Sequence, residues 1–485
     1  MSLVNVNTLI VAFIVLSINI LPALIIIFKE KRDIGSTWAW LLVLLFMPII
    51  GFLIYLFFGR QLKQKNFYNT STRWRDFLQS KVNKQITALK HNNYFGNLTL
   101  KKYSKLIMMN LRSSNALVTT DNEVVVFNNG PEKFNALFRD IRAARTEINI
   151  QYYIIKHDSL GAKLLDELTE KARVGVKVRV LYDEIGSRGI PRSFFDNLIS
   201  NGGEVAVFFP SFLKLVNFHL NNRNHRKLCI IDGGIAYIGG FNIGNEYLGL
   251  DKKIGNWRDT HLKIKGESVN HIQLSFILDW YKAQNHPKPE FEKHSFLKEK
   301  HKGNSPVQII SSGPNSETEH IKNMFIELIM SAKHSIYIQT PYFIPDPSLM
   351  DACKISLLAG IDMRILIPSK GNNPLVHWAT LAYVGELLVH GAKILLYEEG
   401  FLHSKTIVVD QDVASVGSTN LDIRSFKLNF EVNAIIYDKK VAQRLHQLFL
   451  EDSRMSSELT IEDYRKRSIQ SKCKEAVSRL FSLVL

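Results

Sequence analysis

Four segments of the chain recur in the same order about 180 to 190 residues further on, and this duplication restricts the fold more than any other feature. Ile148-Asn-Ile-Gln151-Tyr-Tyr is matched by Ile336-Tyr-Ile-Gln339-Thr-Pro-Tyr342. Val174-Gly175-Val-Lys-Val-Arg-Val-Leu181 is matched by Ala359-Gly360-Ile-Asp-Met-Arg-Ile-Leu366, and Gly203-Glu-Val-Ala-Val-Phe208 by Gly391-Ala-Lys-Ile-Leu-Leu396. The runs are short and rich in Val and Ile, as strands are. Helical patterns over 161–173 and 347–358 lie between them. Strand–helix alternation of this kind implies an α/β fold with a parallel or mixed sheet. Two duplicated α/β lobes packed face to face across a pseudo-twofold axis are expected. A site between them draws equivalent residues from each.

The fourth recurring segment carries chemistry. His225-Arg-Lys227-Leu-Cys-Ile-Ile-Asp232 is followed by Gly239-Gly240-Phe-Asn242, and His403-Ser-Lys405-Thr-Ile-Val-Val-Asp410 by Gly417-Ser418-Thr-Asn420. One HxKxxxxD match is weak evidence, but two in register are strong. A His and a Lys two apart on a strand share a face. A neutral imidazole beside a fixed ammonium suits attack on an anionic phosphodiester: the lysine holds a phosphoryl oxygen and the histidine supplies a nitrogen nucleophile. The second histidine then protonates the leaving oxygen and later deprotonates the incoming hydroxyl. Asn242 and Asn420 are candidate amide donors to the phosphate. A lysine between the other side chains repels a cation, so no metal site is expected, and with no Walker loop or G-x-G-x-x-G strand–helix unit in place no cofactor is expected either.

The motif aspartates stand apart. Asp232 and Asp410 follow the histidines at an odd offset, face away on a regular strand, and begin turn-like sequence. They are expected to fix turns. A carboxylate that orients each histidine must come from a neighbouring strand, and Asp259 and Glu431 occupy matching places in the repeat.

Thr8 to Phe28 and Trp38 to Phe58 are uncharged, and each is about long enough to cross the ~30 Å hydrocarbon layer as a helix. Lys29, Glu30, Lys31, Arg32 and Asp33 separate them. A two-helix transmembrane hairpin is expected. It leaves the side of the membrane open, because the loop and the segment that follows are both basic. From Arg60 through Lys63, Lys65 and Arg73 to Arg112 only Asp76 opposes the basic side chains, each worth roughly 1 kcal/mol near anionic lipid. The formal charge of +16 favours polyanionic partners. Hydrophobic content of 46% excludes both a disordered chain and a polytopic membrane protein. Three cysteines, Cys229, Cys353 and Cys473, form neither a disulfide framework nor a zinc ribbon. The tail from Tyr464 to Leu485 alternates basic and apolar residues, which fits a helix on the bilayer or one packed on the body.

These features resemble the phospholipase D superfamily and, within it, the bacterial cardiolipin synthases. The resemblance covers nearly the whole chain. It rests on both motifs, on Trp38-Ala-Trp40, Pro48-Ile-Ile-Gly51, Asn256-Trp257-Arg258-Asp259, Gln339-Thr-Pro-Tyr-Phe-Ile-Pro345, Gly400-Phe-Leu-His403 and Asn420-Leu-Asp422-Ile-Arg424-Ser-Phe426. It implies a membrane enzyme that converts two phosphatidylglycerol molecules into cardiolipin and glycerol through a phosphohistidine, without metal or nucleotide. It implies His225, Lys227, Asp232, His403, Lys405 and Asp410 as catalytic residues, with His225 the nucleophile and His403 the acid and base. The expected layout is a hairpin over 1–60, a basic juxtamembrane linker over 61–125, a first lobe over 126–300 and a second over 301–485. A hydrolase acting on phospholipids, or a nuclease of the same superfamily, shares the motifs. The apolar hairpin favours anionic membrane lipid over nucleic acid as the partner.

Overall fold

The computed structural model describes residues 6–28, 34–59, 62, 67–68, 71–91, 96–211, 221–285, 289, 291, 296 and 301–482. Lys29, Glu30, Lys31, Arg32, Asp33, Arg60, Lys63, Lys65 and Leu485 lie outside the described residues.

The internal repeat becomes two half-sheets with one strand order. In the first half His261–Lys265, Ile235–Gly239, Leu228–Ile231, Glu147–Tyr152, Lys177–Asp183 and Glu204–Phe208 lie side by side. In the second the order is Asn429–Ile436, Val413–Gly417, Thr406–Val409, Ser335–Gln339, Asp362–Pro368 and Lys393–Tyr397. Along each half the first pairings are antiparallel and the last two parallel. The parallel pairs need crossover helices, which begin alike. Asp158 caps Ser159–Arg173 and Asp346, with Pro347 behind it, caps Pro347–Leu358.

Strand Val118–Phe127 joins the halves. Its first residues pair with Ser305–Ser312 and its last with His261–Lys265, with a register shift between Thr119 and Asn122. The sheet is therefore continuous and folds back on itself. Ile230, Ile238 and Ile264 from one inner face share a core with Val408, Val416 and Ala434 from the other. Each such fully buried aliphatic side chain contributes roughly 1.5–3 kcal/mol. Helices Val269–Ala283 and Lys439–Arg454 complete this core, and the crossover helices cover the outer faces.

The stretch expected as a linker folds. Ser71 caps helix Thr72–Lys90, and Asn97 caps Leu98–Lys102. Leu100, Tyr103, Leu106, Ile107 and Leu111 recur at helical spacing and pack on Ile321, Met324, Phe325 and Leu328 of the second half. Part of the basic charge is used within the protein. Lys102 pairs with Asp410 at 2.8 Å and with Asp412 at 2.7 Å.

At the N-terminus α1 (Val6–Phe28) runs 23 residues without a charge. Its side chains are described at Ile10, Phe13 and Ser17 and from Asn19 onward. The second apolar run is broken into α2 (Ile34–Phe46), α3 (Pro48–Ile54) and a π turn over Tyr55–Gly59, rather than forming one rod. Pro48 has no N–H to continue α2, and Met47 leaves the helical region at φ −129° and ψ 65°. Gly51 allows the bend, since a Cβ there would lie 2.5 Å from the Val43 carbonyl oxygen. Among the described residues no helix is long and apolar enough to cross a membrane. Ile26, Leu44 and Tyr55 hold these helices together, whereas Phe13, Phe28, Trp38 and Phe46 are exposed.

Of the two placements open for the tail, packing on the body is the one observed. Helix Ile469–Leu480 buries Glu475 and Ser478, and Arg479 pairs with Glu386 of helix Pro374–Val389 at 2.9 Å. Ile469 and Leu480 remain exposed.

Candidate active site

Two short parallel pairings cross between the halves. Phe401–Leu402 pairs with Trp257–Arg258, and Arg223–Asn224 pairs with Asn429–Phe430. Each pairing ends one residue before a motif histidine on one strand and one residue before a carboxylate on the other. The next rung continues the register: the His403 amide donates to the Arg258 carbonyl at 2.7 Å, and that of His225 to the Phe430 carbonyl at 2.9 Å. His403 Nδ1 comes to lie 2.6 Å from Asp259 Oδ2, and His225 Nδ1 2.9 Å from Glu431 Oε1. Each imidazole is thus held by a carboxylate of the opposite half.

Both carboxylates are fully buried, and burial alone would raise their pKa values. Lys405 and His403 nevertheless hold Asp259 below the ordinary carboxylate value, and His225 and Lys227 do so for Glu431. The imidazoles move the other way. Burial pushes His225 down to about 4, against the pull of Glu431. Burial and then Lys405 push His403 down to about 3. Each imidazole also feels the other motif's ammonium, so the two His–Lys pairs share one centre. A neutral imidazole that donates Nδ1–H to a carboxylate keeps a lone pair on Nε2. Burial lowers Lys405 to about 8 and Lys227 well below its ordinary value. The Lys227 ammonium donates to the His225 carbonyl at 2.5 Å, and that of Lys405 to the His403 carbonyl.

The carboxylates are braced differently. Ser418 Oγ donates to Glu431 Oε2, and Asn429 Nδ2 donates to Oε1 at 3.2 Å. Asp259 Oδ1 accepts the Thr260 amide at 2.7 Å. Gly240 stands where the second half has Ser418, and a Cβ at Gly240 would lie 2.0 Å from Asp259 Oδ1.

Asp232 and Asp410, implied as catalytic by the resemblance, make turn contacts instead. Both adopt positive φ, 52° and 51°. Asp232 Oδ1 accepts the Thr146 amide at 2.7 Å and the Glu147 amide at 3.0 Å, and Oδ2 accepts the Arg145 amide at 2.9 Å. Asp410 Oδ1 accepts the amides of His334 at 2.8 Å and Ser335 at 3.1 Å. The odd offset along the strand directs both away from the imidazoles. Asp232→Ala is expected to lower stability by about 1–3 kcal/mol through the amides it leaves unpaired, with kcat of the folded enzyme kept. Urea denaturation beside an activity assay checks this. Full stability with kcat lost contradicts it.

The two asparagines also differ. Asn242 is engaged in the fold: its Oδ1 accepts the Ile154 amide at 3.2 Å and its Nδ2 donates to the Tyr247 hydroxyl at 2.9 Å. Asn420 is buried, and its Oδ1 has no hydrogen-bond partner among the described residues. A bound hydroxyl would satisfy that atom.

A supporting layer was not foreseen from the motifs. Arg226 Nη1 and Gln151 Nε2 each donate to Asp279 Oδ2 at 2.6 Å. In the other half Arg258 Nε donates to Asp452 Oδ1 at 2.9 Å and Gln339 Nε2 to Oδ2 at 2.6 Å. The recurrence of Gln151 and Gln339 is the only sequence trace of this layer. Tyr153 meets the His225 ring edge-on at 5.0 Å, and Trp257 lies 5.2 Å from His403. Among the described residues no three His, Cys, Asp or Glu side chains cluster as metal ligands do.

Residues 137–280 and 325–453 match the family described as cardiolipin synthase, PLD-like domain, and residues 18–60 match the phospholipase D-nuclease N-terminal family. The chain is 49% identical over 469 residues to the major cardiolipin synthase ClsA of Bacillus subtilis (strain 168), covering 96% of this chain and 97% of that one. It is 49% identical to a cardiolipin synthase of Listeria welshimeri over 97% of this chain and 98% of the relative. For cardiolipin synthase 2 of Staphylococcus epidermidis the identity is 47%, with 96% of each chain covered. In fold it resembles phosphatidylserine synthase of Haemophilus influenzae Rd KW20, with a TM-score of 0.60 at 15% identity, over 80% of this chain and 100% of that one. The chain belongs to the cardiolipin synthase family of the phospholipase D superfamily.

Proposed function

We propose that the chain is a cardiolipin synthase that moves the phosphatidyl group of one phosphatidylglycerol onto a hydroxyl of another and releases glycerol. The observation that carries the reading is the pair of buried imidazoles, each bonded through Nδ1 to a carboxylate of the opposite half, beside two buried ammonium groups. His225 Nε2 attacks phosphorus, the bond to the glycerol oxygen breaks, and His403 gives that oxygen a proton. A hydroxyl of the second phosphatidylglycerol then returns a proton to His403 as its oxygen attacks phosphorus and the P–N bond breaks. Lys227 and Lys405 stabilise the charged phosphoryl oxygens throughout. Asn420 receives the attacking or leaving hydroxyl. Asp259 and Glu431 keep the rings in the required tautomer and orientation. The nucleophile is assigned to His225 from the superfamily resemblance.

His403 must be protonated at the first step, although the ligand-free site holds it neutral. A phosphodiester anion offsets the lysines, so the proton enters with the substrate. The quantity kcat/KM reports the free enzyme. Above the depressed pKa the protonated fraction of His403 falls about tenfold per pH unit. Above about 8 Lys405 also loses its charge. The expected profile declines through neutral pH and steepens beyond 8. A kcat/KM that rises steadily from about pH 6 to 9 contradicts this assignment of the acid.

The proposal places the enzyme at a membrane, with residues 8–28 and 38–58 as a two-span anchor whose second span is kinked at Pro48. Support comes from the match of residues 18–60 to the phospholipase D-nuclease N-terminal family, from the absence of charge in α1, and from exposed Phe13, Phe28, Trp38 and Phe46. The lobes over 126–300 and 301–485 then form the catalytic body, with 61–125 as a folded collar. The basic balance of the chain suits an anionic lipid substrate rather than nucleic acid at a bilayer surface. The purified full-length chain, given vesicles of phosphatidylglycerol alone, is expected to form cardiolipin and glycerol in equal amounts. Phosphatidic acid as the sole lipid product would overturn the transferase reading in favour of a hydrolase.

A further inference from the structure

The lipid-facing hairpin and the catalytic centre are joined by two residues. Gly59 ends the hairpin, and Phe67 and Tyr68 lie inside the body. At no more than ~3.6 Å per residue, the chain between Gly59 and Phe67 spans at most about 29 Å.

Phe67 stacks on Phe430, with ring centroids 5.2 Å apart. Phe430 precedes Glu431, and its carbonyl accepts the His225 amide at 2.9 Å. The Lys282 ammonium lies over the Phe67 ring, 4.5 Å from its centroid. Tyr68 donates its hydroxyl to Asp279 Oδ1 at 2.5 Å. The second oxygen of that carboxylate accepts Arg226 Nη1 at 2.6 Å and Asn224 Nδ2 at 2.8 Å. Asn224 and Arg226 are the residues on either side of His225. Arg226 Nε also donates to the Glu431 carbonyl at 3.2 Å. The pair Phe67–Tyr68 therefore touches, at one remove, both members of the His225–Glu431 bond.

The second half is built differently. Asp452 takes the place of Asp279 and is gripped by Arg258 through both Nε, at 2.9 Å, and Nη2, at 2.8 Å, without a residue from the N-terminal segment among the described bonds. Arg226 reaches Asp279 through Nη1, and Tyr68 supplies a further hydrogen bond to the other oxygen. The pseudo-twofold symmetry is broken at the half-site that carries His225.

We propose that Phe67 and Tyr68 form a positioning clip through which the membrane-proximal segment sets His225 against Glu431. The proposal rests on the transferase reading above. The clip reaches the His225–Glu431 pair through Asp279 and Phe430, so it acts on the turnover step rather than on lipid binding.

The test compares full-length wild type, Tyr68→Phe and Phe67→Leu on phosphatidylglycerol vesicles. Tyr68→Phe keeps the ring and removes only the hydrogen bond to Asp279. Its kcat is expected to fall roughly tenfold with KM unchanged, and the acid limb of the kcat profile to move as His225 loses its fixed carboxylate. Phe67→Leu is expected to lower kcat in the same way. Thermal unfolding and a count of chains that form phosphoenzyme separate this from a loss of folded protein. Wild-type kcat per active chain and an unmoved pH profile in both variants would overturn the clip while leaving the transferase intact. Absence of cardiolipin formation by wild type would overturn the transferase reading and the clip with it.

Discussion

Replacing His225 by alanine is expected to lower turnover of phosphatidylglycerol by roughly 10⁴-fold or more and to leave no phosphorylated histidine. Of the three first-motif side chains the imidazole keeps a free lone pair, because Lys227 is committed to the His225 carbonyl and Asp232 to the turn at Thr146. His403→Ala produces a loss of similar size with phosphatidylglycerol, but for another reason. Glycerol leaves slowly without a proton, whereas nitrophenol needs none. With a phosphatidyl nitrophenyl ester, His403→Ala is expected to retain a burst of nitrophenol and to stall as phosphoenzyme. His225→Ala gives no burst. A burst lost equally in both variants would mean that the histidines do not divide the steps in this way. A burst kept only by His225→Ala would exchange their roles.

The second large effect follows from the crossed carboxylates. Glu431→Gln and Asp259→Asn are each expected to lower turnover by about 10²–10⁴-fold, since the amide carries no charge to stabilise the imidazolium and can donate to Nδ1, which holds the wrong tautomer. The signature lies in the pattern. Glu431 belongs to the second half yet serves His225, so its variant resembles the loss of His225. Asp259→Asn resembles the loss of His403 and keeps the nitrophenol burst. Within each pair the losses are not additive, because a residue that acts through another adds nothing once that partner is gone. Losses that multiply in His225→Ala/Glu431→Gln would contradict the pairing.

Much of this was legible before any coordinates. The period-two rule put His225 with Lys227 and His403 with Lys405, and the same rule turned Asp232 and Asp410 away. The strand runs at Ile148 and Ile336 announced the duplicated half-sheets. Asp259 and Glu431 were also visible as candidates, but not which imidazole each would meet. That depends on parallel rungs between residues 144 and 206 positions apart, which no local pattern encodes. The bonds of Asn242 were hidden for a related reason, since its partners Ile154 and Tyr247 come together only through the fold. Pro48 was in plain view, but uniform hydropathy concealed the break it makes. In the segment 61–125 the abundance of lysine hid the spacing of Leu100, Tyr103 and Leu106, which is that of a packed helix. Asp279 and Asp452 sit within otherwise ordinary helical sequence, so burial alone distinguishes them.

A single composite site passing one phosphatidyl group through one histidine is the centre of this account. The direct measurement uses phosphatidylglycerol labelled at phosphorus, an alkaline quench that preserves phosphohistidine, and mapping of the labelled peptide. Label on the His225 peptide, at no more than one group per chain and chased into cardiolipin by unlabelled phosphatidylglycerol, is the expected result. Cardiolipin formed with no labelled histidine at any time, or both histidines labelled in one chain, would contradict it.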